Sequence, residues 1–126
     1  MPRLLVFESS EDITYFIVRL LSRAGHEVAT ASSYREAIEQ AKRQPVNGIL
    51  IDIGRPGSSA EAPLLYFGAM PATRGVPIVA LSSRWDMSDA CARRLGYAGY
   101  IHKPFLLEEF RAVIERCFGA RERGRT

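Results

Sequence analysis

Gly48-Ile49-Leu50-Ile51-Asp52 is the stretch on which the reading of this chain turns. Its apolar run reads as a buried strand, and a carboxylate at the tip of such a strand must be paired, hydrated or bound to a metal. Ile53-Gly54-Arg55-Pro56-Gly57 follows, and its glycines and proline demand a loop. An acid at the carboxyl end of a central strand is where an open α/β sheet keeps its chemistry.

Working outward, apolar runs alternate with amphipathic stretches. Leu4 to Phe7 reads as a first strand. Ile13, Phe16, Ile17, Leu20 and Leu21 then recur at helical spacing, with Asp12 near the helix start and Gly25 past its end. Val28 to Ala31 is a weak second strand. Ser33 with Glu36 makes a capping box for a second helix through Ala37, Ile38 and Ala41, stopped by Pro45. Glu61 to Met70 is helix-like, provided that Pro63 sits in its first turn. Pro77 to Ser82 is the fourth strand, and Ser88 to Leu95 a short helix ending at Gly96. Tyr100 to His102 is the fifth strand. Leu106, Leu107, Phe110, Val113, Ile114 and Cys117 trace a last amphipathic helix.

Five strands alternating with five helices imply a doubly wound α/β fold, its parallel sheet covered on both faces. Right-handed crossovers leave few strand orders, and 2-1-3-4-5 puts the tips of strands one and three side by side at the switch point. Those tips carry Glu8 and Asp52. Ser82 at the end of strand four supplies a hydroxyl, and Lys103 after strand five a compact positive charge. Two carboxylates at one spot repel, and a hard divalent cation such as magnesium relieves them. An acid nucleophile, a cation site, a hydroxyl and a lysine together suit acyl-phosphate formation on a carboxylate.

At 126 residues, 47% hydrophobic and 25% charged, the chain is long enough for one domain with a real core. It has no apolar run long enough for a membrane span and no signal-peptide pattern, so the expected location is the cytoplasm. Cys91 and Cys117 form no CxxC pair and read as buried or half-buried thiols of a reducing compartment. His26 and His102 read as surface or satisfied polar residues without metal-ligand partners. Much of the net charge of +3 comes from Arg121, Arg123 and Arg125, set against Glu122. Residues 119–126 are accordingly a basic tail after a domain over 1–118, expected to be solvated.

The acid after strand one, Asp-x-x-x-Pro-Gly after strand three, the hydroxyl after strand four, the aromatic on strand five and Lys103-Pro104-Phe105 occur in one order over about Arg3 to Phe118. In this the chain resembles the receiver domain of response regulators, the phosphoacceptor module of two-component signalling. The resemblance implies that Asp52 is the phosphoacceptor and that Glu8 helps to organise magnesium, with the Gly54 carbonyl as the backbone ligand. It makes Ser82 the hydroxyl that bonds the phosphoryl group, with Ser83 the small residue beside it. It makes Lys103 the lysine that pairs with phosphoryl oxygens, and Tyr100 the aromatic whose rotamer reports activation. A cis Lys103-Pro104 bond is implied as well. So are a histidine kinase or phosphotransfer protein as donor, and a protein partner or second copy on the face of helix four, strand five and helix five. Nucleic acid would be reached only through an output domain absent from this chain. Such a module is not an enzyme beyond its own phosphorylation and dephosphorylation.

Two departures qualify the resemblance. Ser9 stands where the family usually has the aspartate that coordinates the metal directly, and a neutral hydroxyl is a much weaker magnesium ligand. Glu11 and Asp12 belong to the start of helix one, where they favour its dipole. Ser59-Ala60 replaces an acid and a glycine before helix three. Arg84, two residues after Ser82, occupies a position that modulates phosphoryl lifetime in the family; it could shield a phosphoryl group or fill the anion site. Three other readings remain: a pseudo-receiver that binds partners without phosphate, its metal-free site pairing Lys103 directly with Asp52 and Glu8; a flavodoxin-like cofactor binder, which lacks a Gly-rich loop after strand one; and an aspartyl phosphatase, which lacks a general acid.

Overall fold

The structure, a computed structural model, describes residues 2–54 and 58–119. Arg55-Pro56-Gly57 and the arginine tail lie outside the described residues. β1 (Arg3–Phe7), β2 (Glu27–Ala31), β3 (Gly48–Asp52), β4 (Ile78–Ser82) and β5 (Gly99–His102) form one sheet in the order β2-β1-β3-β4-β5. All four pairings are parallel. The helices between and after them are α1 (Glu11–Arg23), α2 (Tyr34–Arg43), α3 (Ala62–Ala69), α4 (Asp89–Leu95) and α5 (Leu107–Ile114). Architecture and strand order are those expected.

Strand side chains alternate between two apolar layers, as a period of two requires. Leu5, Ile49, Ile51 and Ala80 point into one layer, closed by Ala37, Ile38 and Ala41 of α2, Phe67 of α3 and Ala92 of α4. Leu4, Val6, Leu50, Val79 and Leu81 point into the other, closed by Ile17 and Leu21 of α1 and by Phe110, Ile114 and Phe118. This two-sided burial explains why β1 and β3 read as unbroken apolar runs.

Several local readings differ from the sequence expectation. Phe16 and Leu107 are not core residues: Phe16 lies on the flank of α1 and stacks on Phe105 at a centroid distance of 6.1 Å, while Leu107 opens α5 and is exposed, as is Leu106 before it. At its end α5 passes into a π-helical turn, Glu115–Gly119. Phe118, rather than Cys117, becomes the last fully buried side chain, and its ring lies so close over Gly48 that a Cβ there would collide with it. Both cysteines are half-buried, as expected. The capping box is displaced by one residue: Ser33 Oγ accepts the Glu36 N–H, but the Glu36 carboxylate accepts from the N–H and hydroxyl of Ser32. His26 is buried, while His102 is exposed. Among the described residues, no helix is long and apolar enough to cross a membrane.

Candidate functional site

The register of β1 against β3 pairs Phe7 with Ile51, so Glu8, just past β1, and Asp52, the last residue of β3, emerge at the same edge. The chain leaves β3 through Gly54, whose φ of +84° is open to glycine at little cost and strained for other residues. That turn brings the Gly54 N–H back to Asp52 Oδ1 at 2.8 Å. The other carboxylate oxygen, Oδ2, lies 3.1 Å from Lys103 Nζ. The same ammonium lies 3.4 Å from Glu8 Oε1, so one lysine bridges two acids. Lys103 is held from behind: its N–H donates to Ser82 O at 2.8 Å, and the Lys103-Pro104 peptide is cis, as expected.

Glu8 is only 5% exposed. Burial pushes its carboxyl above the usual carboxylate range, and the charge of Asp52 adds to the rise. The Ser10 N–H, 3.1 Å from Oε2, and the lysine oppose it without cancelling it. Among the described residues, two carboxylates share one ammonium, and negative charge is in surplus there.

Ser9 is exposed, and the neighbouring Ser10 caps α1 by accepting the Ile13 N–H. Glu11 and Asp12 lie in the first turn of α1, as expected, and face solvent. Among the described residues, no cluster of three or more His, Cys, Asp or Glu side chains forms a metal site. The pocket instead offers two hard carboxylate donors with an uncompensated charge, a set that suits magnesium if waters and a phosphate complete its octahedron.

On the other side of the pocket mouth, Ser82 is completely buried. Its Oγ accepts the Arg84 N–H at 3.1 Å and lies 3.0 Å from the hydroxyl of Tyr100. Tyr100 is turned inward, 8% exposed, with its hydroxyl also near Ser82 O and His102 Nδ1. Ser83 and Trp85 are exposed, Trp85 to 83%. The Arg84 guanidinium is not in the anion site. It forks onto both oxygens of Asp86 at 2.9 and 3.0 Å and reaches the carbonyls of Ile53 and Ser58 at 3.3 and 3.0 Å. Sequence reasoning missed this clamp. Its only trace was an opposite charge two residues after Arg84, a spacing too common on loops to single out.

The fold and pocket define a doubly wound α/β module with paired acids and a lysine at its switch point. The family model of the response regulator receiver domain matches residues 4–115, and the chain belongs to that family. It is 32% identical over 126 residues to the transcriptional regulatory protein PrrA of Mycobacterium tuberculosis, covering 99% of this chain and 52% of PrrA. The chain spans about half the length of the curated relatives it matches. The chemotaxis protein CheY4 of Vibrio cholerae superposes with a TM-score of 0.78 at 24% identity, covering 94% of this chain and 99% of that one. The receiver domain of the sensor histidine kinase PA1611 from Pseudomonas aeruginosa, solved with a magnesium ion coordinated in its active-site cleft, superposes with a TM-score of 0.75 at 25% identity, covering 94% of this chain and 98% of that one.

Proposed function

We propose that Asp52 accepts a phosphoryl group from a histidine kinase or phosphotransfer protein, and that the module then signals by binding a protein partner or a second copy through α4, β5 and α5. The observation that carries this reading is the position of Lys103 Nζ, 3.1 Å from Asp52 Oδ2 and 3.4 Å from Glu8 Oε1. An ammonium so placed orients the Asp52 carboxylate and holds a positive charge where the phosphoryl group would arrive. It can then move from the carboxylate to the phosphoryl oxygens as negative charge develops there.

In the transfer, an Asp52 oxygen forms the new bond to phosphorus while the bond from phosphorus to the donor breaks, and its electron pair leaves with the donor. The Gly54 N–H fixes the second carboxylate oxygen and so aims the first. Ser82 can give its hydroxyl proton to a phosphoryl oxygen while Oγ keeps the Arg84 N–H. Glu8, Asp52 and the Gly54 carbonyl would hold magnesium, with Ser9 contributing at most a weak neutral ligand. When bound, the ion neutralises charge between the carboxylates and the incoming phosphate.

A pseudo-receiver, which binds partners without phosphate, is the second reading. It is favoured by Ser9 and by the direct pairing of Lys103 with both acids, which balances much of the pocket's charge without a metal. The two separate on one experiment. The full chain is incubated with magnesium and a small acyl-phosphate donor and weighed intact. Phosphotransfer predicts one phosphate increment, absent from Asp52→Ala and from a magnesium-free control. An unmodified mass under all conditions contradicts it.

A further inference from the structure

We infer that Arg84 is a positioning residue that locks the loop after β3 to the loop after β4, and so fixes the Ser82 hydroxyl and the Tyr100 ring relative to Asp52 before any phosphate arrives. A guanidinium has five N–H donors in a rigid fork. That of Arg84 is almost entirely buried, at 5% exposure for the residue, and its contacts leave on two sides. The Nε and Nη2 side grips the Asp86 carboxylate within its own loop. The Nη1 side reaches the Ile53 and Ser58 carbonyls, which bracket the segment following Asp52.

The backbone of Arg84 joins the same network. Its N–H donates to Ser82 Oγ, and Oγ in turn meets the Tyr100 hydroxyl. When Tyr100 is the donor, both lone pairs of Oγ are filled and the serine proton is free to be given away. The Ile53 N–H donates to Leu81 O of β4 at 3.0 Å, which ties the start of the first loop to the sheet. Tyr97 adds a parallel tie, its hydroxyl donating to Ala60 O at 2.6 Å. One side chain therefore connects the turn that aims Asp52 to the hydroxyl across the pocket. Four of its five N–H donors are engaged inside the protein, which marks the side chain as a tie between loops.

This inference does not depend on whether Asp52 is phosphorylated, and its test uses no phosphoryl donor. The full chain is compared with Arg84→Met, Arg84→Lys and Asp86→Asn by amide hydrogen exchange and by relaxation of the Tyr100 ring by a soluble paramagnetic probe. A lost charge-assisted bond of this kind opens a local structure about tenfold or more. Arg84→Met is expected to speed exchange at the Ile53 and residue-84 amides by at least about that factor and to raise the probe effect on Tyr100 severalfold. Exchange at Leu5 and Leu50 in the sheet stays unchanged. Arg84→Lys does not rescue, because one ammonium cannot span a carboxylate and two carbonyls. Asp86→Asn, which retains the guanidinium, shifts the same signals in the same direction and serves if Arg84→Met does not fold. Wild-type exchange and a shielded Tyr100 in these variants would overturn the inference. So would full rescue by lysine, or exchange that quickens evenly through the sheet.

Discussion

The two sides of the pocket mouth are built on opposite principles. On the β1–β3 side, two carboxylates crowd one lysine, and Glu8 is held above its usual range by burial and by its neighbour's charge. On the β4–β5 side, every polar group named has its partner: Ser82, Tyr100 and the fork of Arg84 form a closed, buried network. Buried polar groups that are satisfied rigidify a structure, while a surplus of like charge stores a demand for a counter-ion. The difference teaches where this chain holds reactivity and where it holds position. Ser9, which stands where the family usually has an acid, falls on the side already rich in negative charge.

Lys103→Met should break the contrast most severely. Phosphotransfer to Asp52 is expected to fall about a hundredfold or more, as when one preorganised donor to a developing anion is lost. The fold should also lose about 1–3 kcal/mol in urea unfolding, because Glu8 and Asp52 are left facing each other without a cation. Next, Arg84→Met attacks the satisfied side and should speed amide exchange at Ile53 about tenfold or more, with urea stability little changed, since the loops open locally and the freed carbonyls regain water. Ser9→Asp should sharpen the charged side. Its affinity for magnesium, followed by Trp85 fluorescence, is expected to rise about tenfold. Unchanged affinity would mean that the ligand set is wrong.

Glu8→Gln is the mildest change and has a definite sign. A carboxyl whose folded pKa is raised costs no stability well below its ordinary pKa, and its penalty grows as pH rises through the raised value. Glu8→Gln should therefore match the wild type in acid and exceed its stability at neutral pH by on the order of 1 kcal/mol. Its magnesium binding should weaken at the same time. Equal stability of the two proteins at neutral pH would show that Glu8 is not under electrostatic strain.

Much of this was legible in the residues. The apolar runs ending in Glu8 and Asp52 gave the parallel sheet and its switch point, because strands buried on both faces show no alternation. Lys103 before Pro104 was legible as a site residue from its place between an aromatic strand and a proline. What escaped was of two kinds. Phe16, Leu107 and the exchange of Cys117 for Phe118 depend on how α1 flanks the sheet and on a π turn at the end of α5, which helical spacing cannot show. The Arg84 clamp depends on carbonyls of Ile53 and Ser58, and backbone acceptors carry no residue signature.

Chemical localisation of the phosphoryl group tests the central claim most directly. The full chain is treated with magnesium and a small acyl-phosphate donor and reduced with borohydride, which converts an aspartyl phosphate to homoserine. It is then read by peptide mass spectrometry. The account predicts homoserine at position 52 and nowhere else, with the signal lost in Lys103→Met. Intact aspartate at position 52, or reduction at a different carboxylate, would contradict it.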